Sequence, residues 1–144
     1  MEVFIENERG SLIKNLYNEK SLEFQKNVGV SRPYPYPYGF IIGTTSGDGD
    51  NLDCFILTDK PIAPGTTVEV EPIGMYEQVE DNEQDPKILA ALPGELPVID
   101  ERLQSEFREF TAHVFDHIPD KKISVGRFFG KSEALELVRR SADV

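Results

Sequence analysis

Apolar residues in the first two-thirds of the chain fall in short runs broken by Pro, Gly, Asn and Asp, the rhythm of strands joined by turns. Val3-Phe4-Ile5 is the first run. Leu12-Ile13 and Leu22-Glu23-Phe24 follow, on either side of the turn signal Asn18-Glu19-Lys20. Phe40 to Thr45 and Cys54 to Thr58 read as two strands flanking an acidic loop, and Thr66 to Gly74 alternates as a half-buried strand does. Lys87 to Leu92, bounded by Pro86 and Pro93, reads as a buried strand.

The period then changes. From about Asp100 to His117, Leu103, Phe107, Phe110, Val114 and Phe115 are spaced along one face of a helix, and Pro119 stops it. A short strand at Ile123-Ser124-Val125 leads to a second helix from Ser132, a suitable N-cap, through Arg139. Many short strands followed by helices predict an α+β fold, a small closed or half-closed barrel with helices packed outside. A parallel βαβ sheet would need helices earlier. The 144 residues fit one domain, residues 1–144, large enough to bury a core without disulfides.

The one local repeat is Pro33-Tyr34-Pro35-Tyr36-Pro37-Tyr38-Gly39. Its prolines alternate with tyrosine, so it lacks the P-x-x-P spacing of a polyproline ligand. A rigid entry into a strand, displaying tyrosine hydroxyls, is the better reading; a Pro-rich loop with packed aromatics is the plainer one.

Charge changes the picture most. Fifteen basic against 26 acidic residues give −11, which disfavours a nucleic-acid partner. The same surface repels a polyanionic substrate unless cations bind first. With 39% hydrophobic residues the chain is not a disordered acidic polymer. No basic segment with a long apolar run opens the chain and no apolar stretch is long enough to span a bilayer, so neither a secretory signal nor a membrane partner is expected. Lone Cys54 reads as a small buried hydrophobe, which suits a reducing cytoplasm.

Candidate chemistry lies in Asp48-Gly-Asp50-Asn-Leu-Asp53. Its carboxylates are hard ligands, suited to Mg²⁺, Mn²⁺ or Ca²⁺ rather than zinc, and they repel one another without a cation. A solvated acidic hairpin is the bland alternative. An EF-hand starting at Asp48 is rejected, because its fifth and sixth positions fall on Leu52 and Asp53. A second acidic group runs from Glu80-Asp81 through Asp85 to Lys87, where it meets an apolar strand. Alone it reads as a solvated loop; converging on the first, it would hold several metals beside a phosphate-binding lysine. His113 and His117 lack the Glu of a zinc H-E-x-x-H site, so packing or a subunit contact is their reading.

These residues resemble the soluble family I inorganic pyrophosphatases. The acidic loop resembles the family's D-G-D-P-x-D with Asn51 in the proline place, and Tyr34 to Phe40 resembles Y-P-x-N-Y-G-Y. Pro64-Gly65, Glu71 to Met75, Glu80 to Lys87, and Glu6 with Arg9-Gly10-Ser11-x-x-Lys14 match further stretches in order, so the likeness covers residues 6 to about 117. The resemblance implies a five-stranded OB-like β-barrel with a long and a C-terminal helix outside, and Mg²⁺-dependent hydrolysis of pyrophosphate, with Mn²⁺ as substitute. It implies that Asp48, Asp53 and Asp85 share the activating metals and that Asp50 orients or deprotonates the water. Glu6, Glu80 and Asp81 would serve metals arriving with substrate, while Lys14, Lys26, Tyr38 and Lys87 would form the rest of the catalytic set. It also suggests a homo-oligomer, a hexamer as in bacterial members.

The sequence departs from the pattern on the phosphate side. Lys26 stands for an arginine, losing a bidentate fork. Leu16 stands for the carboxylate of K-Y-E, and Ile118-Pro119 for a Tyr-Lys pair, with Lys121, Lys122 or Arg32 as candidate replacements. Two alternatives to pyrophosphate hydrolysis therefore stay open: a related hydrolase of another phosphoanhydride, and a weakly catalytic or non-catalytic binder of metal or phosphate.

Overall fold

The computed structural model describes residues 1–143. Ten strands and two helices follow in order: β1 (Glu2–Asn7), β2 (Ile13–Tyr17), β3 (Phe24–Gly29), β4 (Tyr38–Ile41), β5 (Asp53–Ile56), β6 (Thr67–Glu69), β7 (Glu71–Glu80), β8 (Glu83–Gln84), β9 (Lys87–Ala91), α1 (Glu101–His113), β10 (Ile123–Phe129) and α2 (Lys131–Ser141). One sheet runs β10-β7-β9-β5-β4-β1-β6, with β8 paired to β7; β2 and β3 form a separate hairpin. At its centre lie five strands, β7, β9, β5, β4 and β1. Pairing is antiparallel except between β5 and β9.

Strand alternation splits the apolar residues between two faces. Cys54, Ile56, Ile88, Ala90 and Met75 join Val3, Ile5 and Ile41 in one core, against Ala134 of α2. Phe55, Leu57, Leu89 and Tyr76 join Tyr34 and Tyr38 in the other, against Leu103, Phe107 and Phe110 of α1. Both faces are covered, so the central strands read as nearly continuous apolar runs. Cys54 is buried in β5 as a free thiol.

Several elements differ in extent from their sequence patterns. The alternating run from Thr66 divides into β6 and β7, and β7 continues to Glu80 because β10 and β9 pair along its length. β10 reaches Phe129 through a bulge between Val125 and Phe128. Arg108 of α1 holds that bulge by donating to the carbonyls of Val125 at 3.2 Å and Gly126 at 2.9 Å. Asp100 caps α1 by accepting from the Leu103 amide at 2.9 Å. The helix stops at His113, before Pro119, because Val114 to Ile118 close into tight turns: Asp116 donates to the His113 carbonyl and Ile118 to that of Phe115. Gly130 rather than Ser132 caps α2, its carbonyl taking the first helical bond from the Ala134 amide. Gly39 is required where β4 crosses β1, since a Cβ there would lie 1.8 Å from the Phe4 carbonyl oxygen.

Candidate active site

Register builds the centre of the site. Parallel pairing sets Asp53 beside Lys87, and antiparallel pairing sets Tyr76 on Lys87's other side. All three side chains project toward the α1 face, in phase with Phe55 and Leu89. The buried Lys87 ammonium donates to Asp53 Oδ2 at 2.5 Å, to Asp85 Oδ2 at 2.9 Å and to the Tyr38 hydroxyl at 3.1 Å. Burial alone would push such a lysine down, but Asp53, Tyr38 and Asp85 hold its pKa well above the usual range. Burial also lifts Asp85, against the pull of Lys87.

The acidic turn hangs over this centre. Gly49, with φ of +89°, closes it by donating to the Ser46 carbonyl. The Asp48 carboxylate accepts from the Asp50 amide at 3.0 Å and from the Ser46 hydroxyl, which fixes the turn from inside. Asp50 is left without a side-chain partner of its own, and its pKa is raised by partial burial and then by Asp48 and Asp53.

Opposite it, Glu6 at the end of β1 and Lys14 of β2 enter the same cleft. Asn15 sets their spacing: its side chain donates to the Glu6 carbonyl at 2.9 Å and its amide to Asn7 Oδ1 at 2.7 Å. Burial, then Asp53 and Glu19, push Glu6 up to about 8, with Lys14 pulling it back. Glu19 is a cleft residue that the sequence disguised as part of a turn. Its Oε1 accepts from the Asn51 amide at 2.8 Å, and burial pushes it up to about 7. Two departures already visible point to it. A proline at position 51 would have no amide to offer, and Leu16 has given up its own carboxylate.

The cleft encloses about 200 Å³ and is lined by Glu6, Glu19, Asp48, Asp50, Asp53, Glu80 and Asp85, with Lys14 and Lys87 among them. Of the tyrosine repeat, Tyr34 and Tyr38 face it, while Tyr36 turns aside to stack on Phe107. The Tyr76 hydroxyl is buried at the floor, near Thr111, without a well-formed hydrogen bond. Asp81 does not line the cleft; it shares Lys121 with Glu80, which does, at 3.4 and 3.3 Å. Lys26 does not itself line the cleft; it pairs across the hairpin with Leu16, which does. His113 and His117 also lie outside it, bonded to Asp116 and Ser31.

The donor set fits divalent cations chemically, being all hard oxygen with several carboxylates lifted by burial and mutual repulsion. Among the described residues no three His, Cys, Asp or Glu groups already stand close enough to hold one ion. Ammonium groups occupy the gaps instead, Lys87 between Asp53 and Asp85, Lys121 between Glu80 and Asp81.

A five-strand core with helices packed on it and an acidic cleft threaded by lysines defines a class of α+β domain, the OB-like barrels that carry their working site on one face. The chain belongs to one family of that class: the family model described as inorganic pyrophosphatase matches residues 3–144. It is 33% identical to the inorganic pyrophosphatase of Nanoarchaeum equitans over 99% of this chain and 97% of that one. Against the Saccharolobus solfataricus inorganic pyrophosphatase the identity is 30%, covering 99% and 90%. The inorganic pyrophosphatase structure from Thermus thermophilus superposes with a TM-score of 0.89 at 26% identity, covering 98% of this chain and 88% of that one.

Proposed function

We propose that the chain hydrolyses inorganic pyrophosphate to two phosphates, with Mg²⁺ as the working cation and Mn²⁺ as a substitute. The observation that carries this is the Asp53–Lys87–Asp85 centre beneath the Asp48–Asp53 turn, in a chain of the inorganic pyrophosphatase family. Asp48, Asp53 and Asp85 would hold the activating cations, and Glu6, Glu80 and Asp81 would serve those that come with substrate. Divalent cations bound there supply two effects, a lowered pKa for a water and neutralisation of phosphoryl charge. Asp50, its carboxylate free of a side-chain partner and its pKa raised by partial burial, takes the proton of the attacking water. Lys14 and the Tyr38 hydroxyl hold phosphate oxygens. Lys87 keeps Asp53 and Asp85 in register and meets the phosphate from below.

Phosphate release from pyrophosphate in millimolar Mg²⁺ tests the reading. Asp53→Asn should lower the rate at least about a hundredfold, as loss of a group stabilising transition-state charge does. An unchanged rate in the variant, or no release by the parent chain, sinks it.

One observation favours a second reading. A groove of about 530 Å³ adjoins the cleft, sharing Thr111, Phe115 and Ile123 with it and running past Ile118 and Pro119. A larger phosphoanhydride, nucleotide or polyphosphate, would extend into it. A release screen over several anhydrides decides, and a clear preference for plain pyrophosphate removes this reading.

The chain works in the cytoplasm, a placement supported by its buried free thiol. It assembles as a homo-oligomer, a hexamer by family resemblance, supported by Leu12, Ile13, Phe24 and Val28, which are 40 to 55% exposed on and beside the hairpin.

A further inference from the structure

Two lysines, Lys87 in the cleft and Lys121 in the groove beside it, differ in how tightly they are held. Lys87 is buried, with carboxylate contacts of 2.5 and 2.9 Å. Lys121, on the loop between α1 and β10, is a quarter exposed and sits 3.3 Å from Glu80 Oε1 and 3.4 Å from Asp81 Oδ2, longer than well-formed ammonium–carboxylate bonds. A partly exposed pair at these distances is weak and easily exchanged. The Lys121 Nζ also lies over the Phe115 ring, 5.4 Å from its centroid. The Lys14 Nζ lies over the same ring at 5.3 Å. Phe115 lines both the cleft, with Lys14, and the adjoining groove, with Lys121, so a single aromatic ring links the two ammonium groups.

The loop does not need the Lys121 side chain to stay in place. Next to it, the Lys122 amide donates to Asp81 Oδ1 at 3.0 Å, and the Asp81 amide donates to the Lys122 carbonyl at 2.8 Å. These bonds fasten the loop to the β7–β8 turn through the Lys122 backbone, one to the Asp81 backbone and one to its carboxylate. The ammonium of Lys121 is thus free to move without loss of the local fold.

Resting on the pyrophosphatase reading above, we propose that Lys121 is an exchangeable ammonium that neutralises Glu80 and Asp81 until a divalent cation takes those carboxylates. It then swings across Phe115 to join Lys14 on a phosphate oxygen of the substrate. The exchange moves one positive charge from the carboxylates to the anion, so cation binding primes anion binding. It also gives the chain a phosphate-binding lysine where Ile118 and Pro119 offer no donor.

Calorimetry without turnover tests the exchange. Mn²⁺ is titrated into the full chain and into Lys121→Met, and inorganic phosphate is then titrated into each Mn²⁺-saturated protein. Lys121→Met should bind Mn²⁺ roughly two- to fivefold more tightly, because no ammonium competes for the carboxylates. It should bind phosphate about tenfold more weakly, having lost a charge-assisted donor. Lys121→Arg should keep phosphate affinity within about threefold. In a Glu80→Gln, Asp81→Asn background the gain in Mn²⁺ affinity should vanish. Affinities for both ions that stay the same, or move in the same direction, overturn the proposal. Hydrolysis by the parent chain is scored separately, so a failure of the pyrophosphatase reading is distinguishable from a failure of the exchange.

Discussion

Lys87 shows how a buried charge can be structural and chemical at once. Removing it by Lys87→Met leaves Asp53 and Asp85 facing each other without a counter-charge, and an uncompensated buried carboxylate costs about 3–5 kcal/mol. Denaturant unfolding of the metal-free protein should show that loss, and Mg²⁺ should restore more stability to the variant than to the parent. Glu6 adds a dependence on pH. Its folded pKa is about 8 against an ordinary 4.5, so between those values the folded chain binds more protons than the unfolded one. The stability from Glu6 is therefore fully present below about pH 4.5 and lost as pH rises through 8. Metal-free Glu6→Gln should melt higher than the parent at pH 8 by at least about 2–4 °C, the shift that 1 kcal/mol makes at this size, and the difference should vanish at pH 4.5. Glu19→Gln should slow phosphate release about tenfold or more if its carboxylate has replaced the one missing at Leu16; a rate within twofold of the parent would assign Glu19 to the hairpin alone.

Among the elements, β5 and β9 matter most, since their parallel register makes neighbours of Asp53 and Lys87. The strands themselves were legible, as apolar runs after Asp53 and Lys87. Their pairing was not, because a run covered on both faces carries no phase to say which strand lies beside it. The α1 face was legible from Leu103, Phe107 and Phe110, whereas its end was not: the hydrophobic spacing runs on through Val114 and Phe115 after the helical bonds have stopped. Gly39 fixes the approach of β4 to β1. Gly39→Ala should destabilise by about 3 kcal/mol or more, measured by chemical unfolding, since neither backbone can yield without shifting Tyr38 and Phe4.

For the molecule as a whole, the acidic ligand candidates were legible because they cluster in two short stretches with hard-ligand chemistry. Lys26 shows the limit of such a match, since a place in the family pattern does not say which hairpin residues line the cleft: Lys14 and Leu16 do, and Lys26, paired with Leu16, does not. Glu19 and Phe115 were invisible for the converse reason: an exposed-looking turn and a helical aromatic acquire meaning only when distant segments close around them. At −11 the chain should also respond to cations globally, and millimolar Mg²⁺ should raise its melting temperature.

The β5–β9 pairing has a further consequence in time. Asp53 and Lys87 are joined only after the chain between them has folded out through β7 and back, and non-local closures of this kind come late in folding. Sheet and helix signals should recover first on dilution from denaturant, with uptake of Mn²⁺ lagging behind them. The working cleft would then serve as a clock for the last closure of the fold.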